Sequence, residues 1–423
     1  MQAADLLIYN AAQLLTCAWP TAKRGAAMTD VGLIEDAAIA IGGEKIIQIG
    51  KSAELCRHFK ADNEIDARGK VICPGLVDPH THVVFAGDRI GEFERRIRGE
   101  SYQDIAASGG GIVSTVSATR AATLAQIVIE SSRRLDRMLA LGTTTAEAKT
   151  GYGLDADSEL KLLLATEALD KNHAIDLVPT FLGAHAVPPE FRGRGDDYID
   201  LLLAEMLPAA AEWYRQSRFA AQRVPMFVDV FCEQHAFTLA QSRRVLEAAQ
   251  ALGLPLKAHV DEFSQLGALD MALGLGAVSV DHLDETDGDG IARLAASNSI
   301  GVIIPTVNFH LGATRYANAR AMLDAGCALA LTTDINPGSA PCPSLPMAMA
   351  IACRYQKLAP AEALNACTIN AAYAVGLGER TGSLQAGRQA DLILLDATDW
   401  RVLAYEFGGN AVARVVKRGR IVV

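Results

Sequence analysis

The feature that most constrains the fold is an alternation, along residues 71–384, of short apolar segments with longer amphipathic ones. The apolar segments are typical of parallel strands buried on both faces. The intervening segments carry apolar residues at i, i+3 and i+4 and often end in Gly, which is typical of helices. Eight such units predict an α/β protein with a (β/α)8 TIM-like barrel. The predicted strands lie within VICPGLVDPHTHVVF (71–85), GTTTAEAK (142–149), DLVPTFLGAHAV (176–187), MFVDVFCE (226–233), LPLKAHVDE (254–262), AVSVDHLDE (277–285), IGVIIPTVNF (300–309) and ALALTTDINPGS (328–339).

The two ends of the chain have a different pattern. Segments such as DAAIAIGGEKIIQIG and VARVVKRGRIVV alternate apolar and polar residues around Gly-containing turns, which is typical of β-hairpins. We therefore expect residues 1–70 and 385–423 to form one small β-sandwich domain, and residues 71–384 to form the barrel.

Composition excludes several classes of partner. The 423 residues carry a net charge of −10, and their Lys and Arg residues are scattered, which argues against nucleic-acid binding. No run approaches the roughly 18 apolar residues of a membrane span, and the N-terminus lacks a cationic leader. The eight cysteines form no C-x-x-C pair. These features predict a cytoplasmic protein with free thiols and no membrane partner.

Polar side chains stand where the predicted strands end, and such barrels keep their chemistry at these ends. His80 and His82 are two residues apart, so on an extended strand both imidazoles point to the same side. His259, at the end of the fifth strand, and Asp334, at the end of the eighth, complete a plausible ligand set. Three imidazoles and one carboxylate suit Zn²⁺ or iron, with a position left open for water.

GLVDPHTH and LTTDINPG resemble the amidohydrolase superfamily, and that resemblance implies that a second metal ion would need a bridging lysine or carboxylate in the middle of the barrel. The fourth strand ends in VDVFCEQH and offers no lysine at its tip, although Glu233 could in principle bridge. Lys149 belongs to the second strand and fits that role poorly. We therefore expect one divalent metal per chain, either zinc or iron (Fe²⁺ or Fe³⁺).

The blocks GLVDPHTH, KAHVDE, VSVDHLDE and LTTDINPG resemble the amidohydrolase superfamily. Within it, HTHVVFAGDR, GESYQDIAASGGGIVST, AKTGYGLD, FLGAHAVPPEF and TTDINPGSAP are similar to the imidazolonepropionase family, over essentially the whole chain. The resemblance implies hydrolytic ring opening of 4-imidazolone-5-propanoate to N-formimidoyl-L-glutamate in histidine degradation. In that reaction a metal-activated water attacks the carbonyl of the cyclic amide. It also implies a homodimer.

The resemblance further assigns roles to residues at the strand ends. Glu262, His282 and Asp334 are the expected catalytic residues, with Glu262 in proton transfer, His282 beside the water and Asp334 both ligating metal and accepting a proton. A small anionic heterocycle is the expected substrate, and a guanidinium at Arg89 suits its carboxylate. The expected substrate contacts are Arg89, Tyr102, Tyr152, His185, Glu262, Asn336, Gly338 and Ser339.

Two alternatives stay open at this point. A mononuclear deaminase acting on a purine or pyrimidine would share the metal ligands, Glu262 and His282, but would not need Arg89 and Tyr152 to bind an anion. A non-catalytic protein that keeps the barrel would have lost part of the ligand set, whereas this set is complete. Ammonia release from guanine or cytosine would favour the deaminase, and metal analysis with activity measured with and without a chelator tests the non-catalytic alternative.

Overall fold

The computed structural model describes residues 1–100, 104–105 and 109–423. It confirms a (β/α)8 barrel accompanied by a smaller unit that both chain ends build. The strands are β1 (Gln2–Leu15), β2 (Leu33–Gly42), β3 (Lys45–Lys51), β4 (Phe59–Asp66), β5 (Val71–Pro74), β6 (Leu76–Asp78), β7 (Thr143–Lys149), β8 (Asp176–Ala184), β9 (Phe227–Val230), β10 (Lys257–Val260), β11 (Ser279–His282), β12 (Ile300–Ile303), β13 (Ala328–Leu331), β14 (Leu392–Leu395), β15 (Val412–Lys417) and β16 (Arg420–Ile421).

Helices cover the outside of the barrel. One of them, α4, begins at a capping box in which Thr123 and Gln126 exchange side-chain and backbone hydrogen bonds, a cap worth about 1 kcal/mol. The α-helices are α1 (Ser52–His58), α2 (Ile90–Ile97), α3 (Ile112–Ala121), α4 (Leu124–Ala140), α5 (Ala156–Asn172), α6 (Gly195–Leu201), α7 (Leu207–Gln216), α8 (Arg218–Ala221), α9 (Leu239–Ala251), α10 (Ala268–Gly274), α11 (Gly288–Ala296), α12 (Pro305–Leu311), α13 (Ala319–Asp324), α14 (Leu345–Tyr355), α15 (Pro360–Ala366), α16 (Ile369–Ala374) and α17 (Val402–Tyr405). Among the described residues, no helix has the length and apolarity to cross a membrane.

The barrel consists of two parallel four-stranded halves, β6-β7-β8-β9 and β10-β11-β12-β13. Bridges between Val228 and Leu256 and between Phe231 and His259 join the halves on one side. On the other side, the carboxylate of Asp78 accepts hydrogen bonds from the hydroxyl of Thr332 and from the amide and hydroxyl of Thr333. Asp78 therefore closes the barrel, which gives a structural role to an aspartate within an apolar run.

The terminal unit is one mixed sheet of eight strands, in the order β16-β15-β14-β5-β1-β2-β3, with β4 also paired to β1. The predicted strand 71–85 is divided, because β5 pairs with β1 and β14 of this sheet while β6 begins the barrel. Gly75 makes the crossing between them, and a side chain there would collide with Thr144. The division into domains at residues 70 and 385 stays a prediction.

A buried cluster of ions joins the terminal sheet to the barrel. The ammonium of Lys417 lies 2.8 Å from Asp176, at the start of β8, and 2.6 Å from Asp391, just before β14. Arg418 adds a contact of 2.7 Å to Asp176. Burial alone would raise the pKa of Asp176, but the charges of Lys417 and Arg418 hold it below its usual value. The cluster therefore fixes the orientation of one unit against the other.

Candidate metal centre and substrate cavity

Four predicted metal ligands meet at one end of the barrel. His80 and His82 follow β6, His259 lies in β10, and Asp334 follows β13. All four are at least 97% buried. The Nε2 atoms of His80 and His82 each lie 3.6 Å from Oδ1 of Asp334, and the rings of His80 and His259 are 4.5 Å apart. The structure therefore brings together side chains that are more than 250 residues apart in sequence.

The unpaired polar atoms at this place fit a cation. His80 Nε2, His259 Nε2 and Asp334 Oδ1 are buried and have no hydrogen-bond partner within the described chain. Leaving such atoms unpaired costs about 1–3 kcal/mol each. The ligand atoms of His80, His82 and His259 lie within 4.8 Å of one another, a spacing compatible with bonds of about 2 Å to a shared ion. Imidazole and carboxylate donors suit a divalent metal.

Two aspartates lie behind the imidazoles. Nδ1 of His80 is 2.6 Å from Oδ2 of Asp281, and Nδ1 of His259 is 3.1 Å from Oδ2 of Asp229. The carboxylate of Asp281 accepts a hydrogen bond from Nδ1 of His80 and so leaves Nε2 free to ligate metal, whereas Asp229 contacts Nδ1 of His259 at ion-pair distance. The sequence reasoning missed both aspartates. The sequence feature that could have indicated them is an isolated Asp inside an apolar strand, in FVDVF and VSVDH. In the structure both side chains point into the barrel.

A layer of buried charge lies beneath the metal ligands. Nζ of Lys149 is 2.6 Å from Asp229, 3.1 Å from Glu147 and 3.6 Å from Asp281. Nζ of Lys257 is 3.1 Å from Glu147. All five side chains are fully buried. Burial would lower the pKa of Lys149, but the charges of Asp229, Glu147 and Asp281 raise it well above its usual value.

Glu262 and His282 lie beside the metal ligands. Oε2 of Glu262 is 3.6 Å from Nε2 of His282, and both side chains are nearly buried. Burial raises the pKa of Glu262 well above its usual value, and the nearby charges of Asp284 and Asp334 raise it further. His282 and Asp334 both have a positive φ, a backbone strain that is concentrated at functional sites. Burial therefore favours the protonated, neutral form of the Glu262 carboxyl group.

Glu233 holds the segment that carries Glu262. Its Oε2 accepts hydrogen bonds from the amides of Phe263, at 2.9 Å, and Ser264, at 3.1 Å. The Ser264 hydroxyl donates to Oε1 of the same carboxylate. This geometry gives Glu233 a structural task other than bridging two metal ions.

A cavity of about 560 Å³ opens above the metal ligands. Nε of Arg89 donates to the hydroxyl of Thr115 at 2.8 Å, and its guanidinium lies against the Cα of Gly338. The carbonyl of Gly338 accepts a hydrogen bond from Arg96 at 3.0 Å. The cavity is lined by the predicted residues His82, Arg89, Tyr152, His185, His259, Glu262, His282, Asp334, Asn336, Gly338 and Ser339, and by residues that were not predicted, among them Arg96, Phe231 and Leu311.

His185 and Tyr152 form an aromatic wall of this cavity. The ring of His185 stacks on His82 at 4.9 Å, and Tyr152 lies 5.3 Å from His185. Burial lowers the pKa of His185 to about 3, so its ring is neutral. Nδ1 of His185 lies 2.9 Å from the carbonyl of Gly151, a contact that a neutral ring makes by donating from Nδ1, which leaves Nε2 as an acceptor.

Asn336 folds its own loop. Its Oδ1 accepts hydrogen bonds from the amides of Gly338 and Ser339, at 2.8 and 2.7 Å, and its Nδ2 donates to the carbonyl of Asp334 at 2.9 Å. The amide is therefore engaged in presenting Asp334, Gly338 and Ser339 to the cavity. The predicted contact Tyr102 lies outside the described residues.

Comparison with known proteins agrees with this geometry. The family model described as "Amidohydrolase family" matches residues 71–422. An adenosine deaminase from Xanthomonas campestris with bound zinc shares 19% identity and a TM-score of 0.68 over 99% of this chain and 93% of its own. The guanine deaminase of E. coli shares 17% and 0.67 over 99% of each chain. At these identities the two structures show the fold alone. The chain belongs to the amidohydrolase family.

More similar relatives narrow the assignment within that family. The imidazolonepropionase of Chloroflexus aggregans is 58% identical over 100% of this chain and 99% of its own length. That of Symbiobacterium thermophilum is 45% identical over 100% and 98%. Within the amidohydrolases the chain therefore belongs to the imidazolonepropionases, and it is a hydrolase. The family resemblance read from the sequence blocks is confirmed.

Proposed function

We propose that this chain opens the ring of 4-imidazolone-5-propanoate by hydrolysis and yields N-formimidoyl-L-glutamate, as part of histidine degradation. The observation that carries the proposal is one cavity in which a cluster of metal-ligating side chains faces a guanidinium. The cluster supplies hydrolytic chemistry, and Arg89 supplies a partner for the substrate carboxylate. Full-length similarity to imidazolonepropionases supports the same reaction.

His80, His82, His259 and Asp334 would hold one divalent cation, zinc or iron. When bound, such a cation lowers the pKa of a water ligand to about 7 and polarises a carbonyl oxygen. The unpaired Nε2 atoms of His80 and His259 and the unpaired Oδ1 of Asp334 support this ligand set. One ion per chain is supported by Lys149, because its ammonium pairs with the buried carboxylates of Glu147 and Asp229 beneath the ligands and so is engaged elsewhere than in bridging two ions.

The chain's own groups move the protons. Hydrolysis forms a bond between the water oxygen and the ring carbonyl carbon, breaks the carbon–nitrogen bond and needs a proton on the departing nitrogen. The carboxylate of Asp334 accepts the proton of the attacking water. Glu262, whose pKa is raised by burial, delivers a proton to the nitrogen, and Nε2 of His282 lies 3.6 Å from its carboxyl group to assist that transfer.

The other end of the cavity binds the propanoate chain. Arg89 is the carboxylate partner, because its Nε is held by Thr115 and its guanidinium projects beside Gly338. The amide of Ser339 and its hydroxyl lie on the same loop. His185 and Tyr152 contact the ring of the substrate, with the free Nε2 of His185 as an acceptor for a ring N–H.

The test incubates metal-loaded full-length protein with enzymatically generated 4-imidazolone-5-propanoate. Loss of its ultraviolet absorbance is followed together with appearance of N-formimidoyl-L-glutamate by mass spectrometry. Ammonia release from guanine and adenosine is measured in parallel. Ring opening that stops with chelator is the expected result. Ammonia release without ring opening would replace the proposal by deaminase activity.

A homodimer and a cytoplasmic location complete the proposal. The family resemblance supports both. Size-exclusion chromatography with light scattering measures the mass of the assembly. A mass near that of one 44.9 kDa chain would contradict the dimer.

A further inference from the structure

Lys149 is a buried charged group to which the hydrolytic reaction assigns no step. It ends β7, its side chain is fully buried, and it faces away from the substrate cavity into the layer of charge beneath the metal ligands. Carrying an ammonium into a barrel interior costs several kcal/mol unless carboxylates surround it. Here three carboxylates from three strands do so: Glu147 of β7, Asp229 of β9 and Asp281 of β11.

The same carboxylate oxygens that contact Lys149 also contact the metal ligands. Oδ2 of Asp229 lies 2.6 Å from Nζ of Lys149 and 3.1 Å from Nδ1 of His259. Oδ2 of Asp281 lies 3.6 Å from Nζ of Lys149 and 2.6 Å from Nδ1 of His80. One ammonium is therefore the common neighbour of the two groups that orient imidazoles on opposite halves of the barrel.

We infer that Lys149 is a positioning residue of the metal centre. It fixes Asp229 and Asp281 so that His80 and His259 present Nε2 to one ion. The inference deepens the proposed function and rests on its metal centre. Without the ammonium, two buried carboxylates lose their shared partner and repel each other, and the imidazoles lose their orientation. Groups that orient ligating histidines are worth about 10- to 100-fold in metal affinity.

The chain offers a matched control in Lys417. This lysine is 3% exposed and contacts two carboxylates, Asp176 and Asp391, at distances like those of Lys149, but it lies at the junction with the terminal sheet. Lys417→Met removes a buried ammonium from a comparable environment. It reports what the loss of any such ion pair does to the fold, without touching the metal centre.

The experiment measures zinc affinity of the full-length protein by competition with a chromophoric chelator. Lys149→Met is expected to bind zinc about 10- to 100-fold more weakly than the wild-type protein. Lys417→Met is expected to bind it as the wild type does. The visible absorption spectrum of the Co²⁺-loaded protein is expected to change in Lys149→Met alone, because it reports the geometry of the ligands. Equal losses in both variants, or unchanged or tighter zinc binding in Lys149→Met, would overturn the inference.

A second variant separates the positioning effect of Lys149 from the effect of its charge. It also keeps the inference testable if the single variant misfolds. Glu147→Gln combined with Lys149→Met restores the net charge of the buried layer, since one carboxylate and one ammonium are removed together. Compared with the wild type, whose net charge it shares, the double variant is still expected to bind zinc at least 10-fold more weakly. Affinity equal to that of the wild type would show that only the net charge matters and would refute the positioning role.

Two further outcomes are informative. If both Lys149 variants fail to fold in saturating zinc while Lys417→Met folds, Lys149 acts on the fold and the inference is wrong. If the wild-type protein itself binds no divalent ion, the proposed metal centre fails, which is a different result from a Lys149 variant that binds zinc normally.

Discussion

Replacing Gly338 by alanine is expected to displace the guanidinium of Arg89 without altering a metal ligand. An added Cβ would contact Nη1 of Arg89 and lie 2.8 Å from its Cζ. Gly338 has no positive φ, so its backbone accepts alanine and the collision is the only change. Arg89 cannot retreat freely, because its Nε donates to Thr115, a buried residue of α3, at 2.8 Å.

The size of the effect follows from this geometry. Ordinary carbon–nitrogen contact begins near 3.5 Å, so the guanidinium must move by about 1 Å. That displacement breaks one of the two hydrogen bonds that a bidentate guanidinium makes to a carboxylate, each worth about 1.5–3 kcal/mol. We expect kcat/KM to fall by about 10- to 150-fold, mainly through a higher KM.

Steady-state kinetics with 4-imidazolone-5-propanoate test this expectation. Gly91→Ala is the matched control, because it lies two residues beyond Arg89 and an added Cβ there meets no atom of the described residues within 4 Å. Arg89→Ala combined with Gly338→Ala should be no worse than Arg89→Ala alone, since both changes remove the same interaction. An unchanged KM in Gly338→Ala, or additive losses in the double variant, would refute the reasoning.

Three further perturbations have defined outcomes. Lys417→Met should lower the free energy of unfolding in urea by about 3–5 kcal/mol, because Asp391 is left buried without its partner. The pKa of Asp176 is lower in the folded protein than in the unfolded chain, so the stabilisation that Asp176 gains from Lys417 is present above about pH 4. This stabilisation is lost as pH falls through the folded pKa. A stability difference between wild type and Lys417→Met that grows at low pH would contradict this. Glu262→Gln should lower kcat by about 10²- to 10⁴-fold with little change in KM, measured by the same absorbance assay, and near-normal kcat would remove Glu262 from proton transfer. Chelation should abolish hydrolysis and lower the Tm measured by calorimetry, with both restored by zinc or iron, whereas chelator-resistant turnover would contradict a metal centre.

The residues at the strand ends could be predicted from the sequence, because their place at the ends of parallel strands is enough to bring them together. In a parallel barrel every strand delivers its carboxyl end to the same rim, so His80, His259 and Asp334 could be grouped without knowing the contacts. The division of the first predicted strand could not be read in this way. An apolar run looks the same on both sides of Gly75, and only the pairing of β5 with β14 separates the two parts.

The buried charges were harder to predict for a different reason. Asp229 and Asp281 each stand alone in an apolar strand, where a single sequence gives no partner. Their carboxylates are tolerated because Lys149 and an imidazole compensate each of them, and that compensation exists only in three dimensions. Asn336 illustrates the same limit, since the hydrogen bonds of its amide within its own loop could not be read from the sequence, while its contact with the substrate stays a prediction.

The loops after β6 and β13, which carry residues of the site, meet where the barrel closes without a strand ladder. Among the described residues, β6 and β13 are joined by Asp78 and by the hydrogen bond of 3.0 Å from the amide of His82 to the carbonyl of Ile335, not by paired strands. The loop after β6 carries His80, His82 and Arg89, whereas the loop after β13 carries Asp334 and Gly338.

A cation held by His80 and Asp334 would therefore link the two sides of this seam, and the contact of Arg89 with Gly338 lies across the same seam. Small shifts between β6 and β13 would alter metal ligation and substrate binding together. Because β6 pairs with β7 and β13 with β12, whereas β6 and β13 share no ladder, the seam is a part of the barrel that a bound ion can stabilise.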